Sequence, residues 1–152
     1  MENRIVLRRA EPHEVAAIRD LTLRAYAKWV PITPRKPRPM TADYDAAIRD
    51  HRFDGLYDDG VLVALIETVV EGSDLMIVNV AVDPAHQGRG LGVRLMRFAE
   101  GLAREAGCRA TRLYTNRLMR ENIALYERLG YAFERETHHD MGTVAVHMVR
   151  LL

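Results

Sequence analysis

Hydrophobic and polar positions along the chain switch between two periods. Residues 4–8, Arg-Ile-Val-Leu-Arg, alternate closely enough to predict a first strand. Pro12 suits a first helical position, and Val15, Ile18, Leu21 or Thr22, and Ala25 then recur at helical spacing. Pro31, Pro34, Pro37 and Pro39 follow, too dense for a regular helix or a central strand, so this stretch predicts a stiff extended loop. DYDAAIRDH predicts a short second helix. FDGLY predicts a weak strand, Asp58-Asp59-Gly60 a turn, and VLVALIETVV a longer strand. EGSD turns the chain into LMIVNVAV, a β-branched strand that stops at Asp83-Pro84. Leu91, Leu95, Phe98, Leu102 and Ala106 trace one face of a helix closed by Gly107. RATRLYT predicts a strand, ENIALYERL a helix closed by Gly130, and YAFERET with TVAVHMVRL a final strand pair around HHDMG. The order is β-α-α-βββ-α-β-α-ββ, an α/β fold with a sheet of mixed direction. DYDAAIRDH is too short to link two cores and nothing before it folds alone, so residues 1–152 read as a single domain.

Composition narrows the function classes. The 152 residues are 48% hydrophobic and 28% charged, a balance that builds a globular core. A net charge of +1 with His neutral points to no polyanionic partner, so no nucleic acid is expected. PRKPRP is basic but short, and a solvated loop explains it. MENRIVLRR lacks the apolar segment of a signal peptide. Runs such as VLVALI are too short to span a bilayer, so no membrane partner is expected. The single Cys108 excludes an internal disulfide framework and fits a reducing, cytoplasmic setting. It follows the helix-ending Gly107 and reads as a packed small residue.

The stretch VDPAHQGRGLG, residues 82–92, carries the most specific chemistry. Neither the P-loop nor the dinucleotide spacing is met, because Gly88, Gly90 and Gly92 alternate. Anion-binding physics still applies. A strand runs into a glycine turn that opens a helix, where free N–H groups and the macrodipole favour negative charge. Glycines permit close approach to a phosphate, and Arg89 adds a fixed positive charge.

VAVDPAHQGRGLGVRLM resembles motif A of the GCN5-related N-acetyltransferase (GNAT) superfamily, with Gln87, Gly90 and Gly92 in its three positions. LYTNRLMRENIALYERLGYAF resembles motif B, matched by Asn122, Tyr126 and Gly130-Tyr131. The two blocks stand in the order and distance that superfamily uses. The resemblance implies the GNAT fold, a mixed, mostly antiparallel central sheet with flanking helices. It implies acetyl-CoA as co-substrate. The pyrophosphate would lie on the N–H groups of Gly88, Arg89, Gly90, Leu91, Gly92 and Val93, and the pantetheine chain along Val80, Ala81 and Val82. It also implies a splay between the LMIVNVAV strand and the next, an oxyanion donor near Ala81 or Val82, and cofactor contact from Asn122.

Amine acetylation needs a proton acceptor, because a protonated alkyl amine cannot attack a thioester. Many superfamily members place a Glu on the strand before motif A. Met76 and Val78 share parity with Val80 and Val82 and are apolar, while Asn79 faces the other way on a regular strand. Glu67 on the preceding strand is the remaining carboxylate, acting through water. Tyr126, four residues after Asn122 and so on the same helix face, is the candidate acid for the leaving thiolate. His138, His139 and Asp140 form a tempting cluster, but adjacent side chains on an extended segment diverge, so no metal is expected. One of the two His could line the acceptor pocket or act as a base. Tyr26, Trp29 and Met40 are candidate pocket walls. Lys28, Arg35, Lys36 and Arg38 would favour an acceptor bearing a carboxylate or phosphate. The expected function is N-acetyl transfer to a small-molecule or protein amine. The alternatives are a non-catalytic acyl-CoA sensor and, against the missing Gly-Lys-Ser/Thr, a nucleotide-binding enzyme. C-terminal strands often join subunits in this superfamily, which keeps a homodimer in view.

Overall fold

A computed structural model describes residues 4–152, except the side chain of Met141. The first three residues, part of the stretch read as lacking a signal segment, lie outside the described residues. Eleven regular elements follow the expected order: β1 (Ile5–Arg9), α1 (Val15–Tyr26), α2 (Tyr44–Asp50), β2 (Arg52–Asp58), β3 (Val61–Glu71), β4 (Asp74–Val82), α3 (Leu91–Glu105), β5 (Ala110–Asn116), α4 (Arg120–Arg128), β6 (Ala132–His138) and β7 (Val144–Leu151). They build one seven-stranded sheet in the order β1-β2-β3-β4-β5-β7-β6. Every neighbouring pair is antiparallel except β4 and β5.

Local chemistry sets the turns. Asp59 and Gly60 both have positive φ, 52° and 86°, and reverse β2 into β3. Asp43 caps α2 by accepting from the Ala46 N–H. The proline-rich stretch is not uniformly extended: short 3-10 turns form at Ala27–Trp29 and Arg38–Met40. FDGLY is no weak strand either, since Phe53 to Tyr57 are all buried and pair with β1 on one side and β3 on the other.

Two apolar clusters sandwich the sheet. Ile18, Leu21 and Ala25 of α1 and Tyr44 of α2 pack on one face. Leu91, Leu95, Met96, Ala99 and Ala103 of α3 pack on the other. The buried stripe of α3 differs from the expected face, because Phe98 and Leu102 are only half-buried. Small Ala99 and Ala103 let α3 lie close to the sheet. Each fully buried large aliphatic side chain contributes roughly 1.5–3 kcal/mol. Cys108 packs against the α3-side cluster as a free thiol. No helix among the described residues is long and apolar enough to cross a membrane.

Candidate active site

The sheet opens between β4 and β5. These parallel strands pair only at Asp74–Ala110, Leu75–Thr111 and Met76–Arg112. Beyond Met76, β4 keeps β3 as its partner, while β5 continues on β7 to Asn116. The β4 edge therefore faces a gap. Its register fixes which backbone groups reach that gap. Asp83 N–H donates to Val63 O at 2.8 Å, so Ala81 and Asn79, two and four residues earlier, also spend their backbone groups on β3. Val80 and Val82 point theirs into the gap. Accordingly, the Val80 carbonyl accepts the Tyr26 hydroxyl at 3.2 Å, and the Val82 carbonyl accepts the Gln87 side-chain amide at 3.4 Å. Of the candidate backbone donors, Val82 faces the gap and Ala81 does not.

The glycine loop lies at the end of the same strand. Gly88 and Gly90 take φ of 83° and 76°, the left-handed region that glycine occupies without strain. Gly90 opens α3 as its N-cap, and a Cβ on either glycine would project into open space. Among the described residues, no protein acceptor meets the N–H groups of Gly88 through Val93. Arg89 is exposed beside them. This is a cradle of donors with positive potential, suited to a diphosphate. The β4 edge beside it, unpaired with β5 beyond Met76, suits an extended amide chain once the Tyr26 and Gln87 side chains give way at the Val80 and Val82 carbonyls. The residues present thus fit coenzyme A.

A cleft of about 770 Å³ opens on the α1/α2 face of the same gap. Its walls include Val78 and Asn79 of β4, Glu67 of β3, His51 after α2, and Tyr114 of β5. Asn79 faces away from Val80 and Val82 as expected, since those two pack on the α3-side cluster, but the cleft lies on the Asn79 side. Glu67 pairs with Asn79 and Thr68 with Ile77, so Val78 is the extra residue of a β-bulge. Across the bulge Ile77 packs on the α3 side while Asn79, with Ala81, faces α1 and α2, where it is 3% exposed. Its amide oxygen accepts from Tyr26 Oη at 2.8 Å, and its nitrogen donates to Thr22 Oγ1 and Tyr44 Oη, each at 3.3 Å. Tyr44 Oη donates in turn to Pro39 O at 2.7 Å. This network ties the proline-rich loop and both helices to the reactive strand.

Glu67 is 3% exposed, and its Oε2 lies 2.6 Å from His51 Nδ1. Burial pushes its carboxyl up from the ordinary value, and His51 partly offsets that. Sequence reasoning missed His51, which carries no motif and meets Glu67 only through the fold. Tyr26 is held well above the usual phenol range, first by burial and then by the nearness of Tyr126, Tyr44 and Glu67.

Tyr126 packs against the α3-side core, 6.2 Å from the Tyr131 ring, and burial pushes its hydroxyl up to about 12. Neither Tyr126 nor Asn122 lines the cleft itself; the Asn122 side-chain amide meets the Met119 sulfur at 3.8 Å. Of the expected pocket walls, Tyr26, Arg35, Lys36 and Arg38 line the cleft. Trp29 is buried, Met40 stays outside the cleft walls, and Lys28 turns to Glu121 at 3.4 Å. Arg38 reaches across to Tyr114 Oη at 3.4 Å and bridges the cleft. His139 and Asp140 line the far wall, while His138 lies 3.5 Å from Glu136. The potential ligand group that converges among the described residues is elsewhere, Glu11, His13 and Glu14. There Glu14 already accepts from Arg8 at 3.0 Å and Tyr57 at 2.7 Å, as the capping residue of a turn.

The model of the acetyltransferase (GNAT) family matches residues 15–131, and the chain belongs to that family. Three solved structures illustrate the likeness. The PaiA N-acetyltransferase of Thermoplasma acidophilum, in complex with coenzyme A, is 16% identical with a TM-score of 0.76, covering 97% of this chain and 99% of that one. The ribosomal-protein-S18-alanine N-acetyltransferase of Escherichia coli is 20% identical with a TM-score of 0.78, covering 97% and 93%. YncA of Salmonella typhimurium, with acetyl-CoA, is 20% identical with a TM-score of 0.75, covering 99% and 95%. At these identities the likeness is one of fold. No match was found among curated proteins.

Proposed function

We propose that this protein transfers the acetyl group of acetyl-CoA to the amine of a small acceptor that carries an acidic group. The observation that carries the proposal is the divergence of β4 from β5 after three paired residues. The glycine loop flanks that gap, and the cleft opens behind it. Coenzyme A would seat its diphosphate on the N–H groups of Gly88 to Val93 and run its pantetheine along Val80 and Val82. The thioester then stands in the gap, reachable by an amine from the cleft. A neutral amine attacks the carbonyl carbon, and the Val82 N–H stabilises the oxyanion. As the C–S bond breaks, Tyr126 gives its proton to the departing sulfur. A hydroxyl pushed up to about 12 keeps that proton at neutral pH. The acceptor's own proton leaves at the Glu67 end of the cleft.

The acceptor class follows from the walls. Arg35, Lys36 and Arg38 line one side of the cleft, and the Arg38–Tyr114 bridge limits the room for a protein chain. A panel of amines, each assayed with and without a carboxylate, tests this. Acidic amines should be preferred. Replacing Arg35, Lys36 and Arg38 together by Gln should raise their KM about tenfold, or 1.4 kcal/mol, with kcat little changed. An unchanged KM, or turnover confined to protein N-termini, would defeat the assignment.

A further inference from the structure

The cleft holds a carboxylate that cannot meet substrate by itself. Glu67 is 3% exposed, and His51 covers its Oε2 at 2.6 Å. His51 is the accessible member, with its side chain 30% exposed. It stands in the wall of the large cleft and also borders a smaller hollow of about 380 Å³ beside Phe53. A carboxylate on Nδ1 fixes the imidazole tautomer: Nδ1–H donates to Glu67, and Nε2 keeps its lone pair. Among the described residues Nε2 has no hydrogen-bond partner.

Resting on the acetyl-transfer reading above, we infer that His51 is the group that deprotonates the acceptor, with Glu67 as its positioning residue. The acceptor arrives as an ammonium, and one N–H proton passes to His51 Nε2. The freed lone pair forms the C–N bond to the thioester carbon. When the C–S bond breaks, the thiolate takes a proton from Tyr126. The second nitrogen proton of the adduct restores the tyrosine, and His51 returns its own proton to solvent. Glu67 holds the imidazole through its Nδ1–H. The absence of a carboxylate at Met76 and Val78 is thereby made good from the neighbouring strand. The ionisable groups that share these two hollows with the pair include Asp50 and Tyr44 of α2, Tyr26 of α1, the cations Arg35, Lys36 and Arg38 with Asp43, Tyr114, His139 and Asp140 in the large cleft, and Arg9 and Glu11 in the small one.

His51→Asn tests the role, because its side-chain N–H can still reach Glu67 while no titrating nitrogen remains. Three readouts are combined: kcat/KM against pH, the Kd for CoA, and the thermal midpoint. At neutral pH kcat/KM should fall about 100-fold or more. The deficit should shrink toward pH 10, where the acceptor amine deprotonates unaided. The CoA Kd and the thermal midpoint should stay close to wild type. Glu67→Gln should lower kcat while the acceptor KM and the CoA Kd stay close to wild type. The double variant should lose little more than His51→Asn alone, since the two act as a unit. A His51→Asn enzyme within about threefold of wild type, or one equally impaired at every pH, overturns the assignment of His51 and leaves acetyl transfer standing. A wild-type protein that binds CoA yet acetylates no amine overturns both.

Discussion

Alanine at Gly92 separates what the glycine loop does for the fold from what it does for a ligand. Gly92 is the second residue of α3 and has ordinary helical backbone. A Cβ there would meet only Val82 Cγ2, at 3.7 Å, an ordinary contact. Gly92→Ala therefore introduces no strain and removes freedom from the unfolded chain. It should stabilise the free protein by about 0.4–1 kcal/mol, raising the thermal midpoint by roughly 1–4 °C for a chain of this size. The same methyl narrows the space between the start of α3 and the end of β4, where a diphosphate must come within hydrogen-bond reach of the N–H groups. Losing one hydrogen bond to a charged group costs about 1.5–3 kcal/mol, so CoA should bind about 10- to 100-fold more weakly. Gly90→Ala gives the contrast. At φ 76° any side chain is strained, and stability should drop by about 1–2 kcal/mol although the space is open. Urea unfolding reads stability and titration calorimetry reads CoA affinity. A Gly92→Ala protein that is more stable and binds CoA as tightly as wild type would refute the diphosphate seat.

Two further outcomes follow from the tyrosines. Tyr126→Phe should lower kcat about 10- to 100-fold with CoA affinity within about twofold of wild type; unchanged kcat in stopped-flow thiol release would remove Tyr126 from the chemistry. Tyr44 and Tyr131 are 2% and 3% exposed, and burial pushes both hydroxyls up to about 12. The unfolded chain releases these protons near pH 10 and the folded chain keeps them. The stability they contribute is thus complete below about pH 10 and is lost toward pH 12, at roughly 1.4 kcal/mol per pH unit for each tyrosine. A urea midpoint that holds steady from pH 9.5 to 11.5 would contradict this.

What the sequence revealed was what local chemistry determines. Gly88 and Gly90 stood out because a left-handed backbone demands glycine whatever the rest of the fold does. Element order was legible for the same reason, since each turn carried its own Asp, Gly or Pro. The facing of β4 was not legible. LMIVNVAV bears no mark of a bulge, which arises from its register against β3, and that single extra residue at Val78 puts Ile77 and Asn79 on opposite faces and breaks the parity of Met76 with Val80 and Val82. The His51–Glu67 pair was hidden likewise, because its partners meet only when β2 and β3 align. Gly130 was noted as part of a motif, and the structure supplies a structural cause. At φ 98° it leaves room for Arg150, which donates to Leu129 O at 3.1 Å and meets the buried Glu100 at 3.3 Å.

The central claim is that the gap between β4 and β5 delivers an acetyl group to a nitrogen. Its most direct measurement uses acetyl-CoA labelled in the acetyl carbonyl, incubated with a panel of amines, with products resolved by mass spectrometry and free thiol counted in parallel. The account predicts label on the acceptor nitrogen in equal amount to the thiol released, with little thiol released when no amine is present. Tight CoA binding without label on any amine, or thiol release that no amine accelerates, would contradict it.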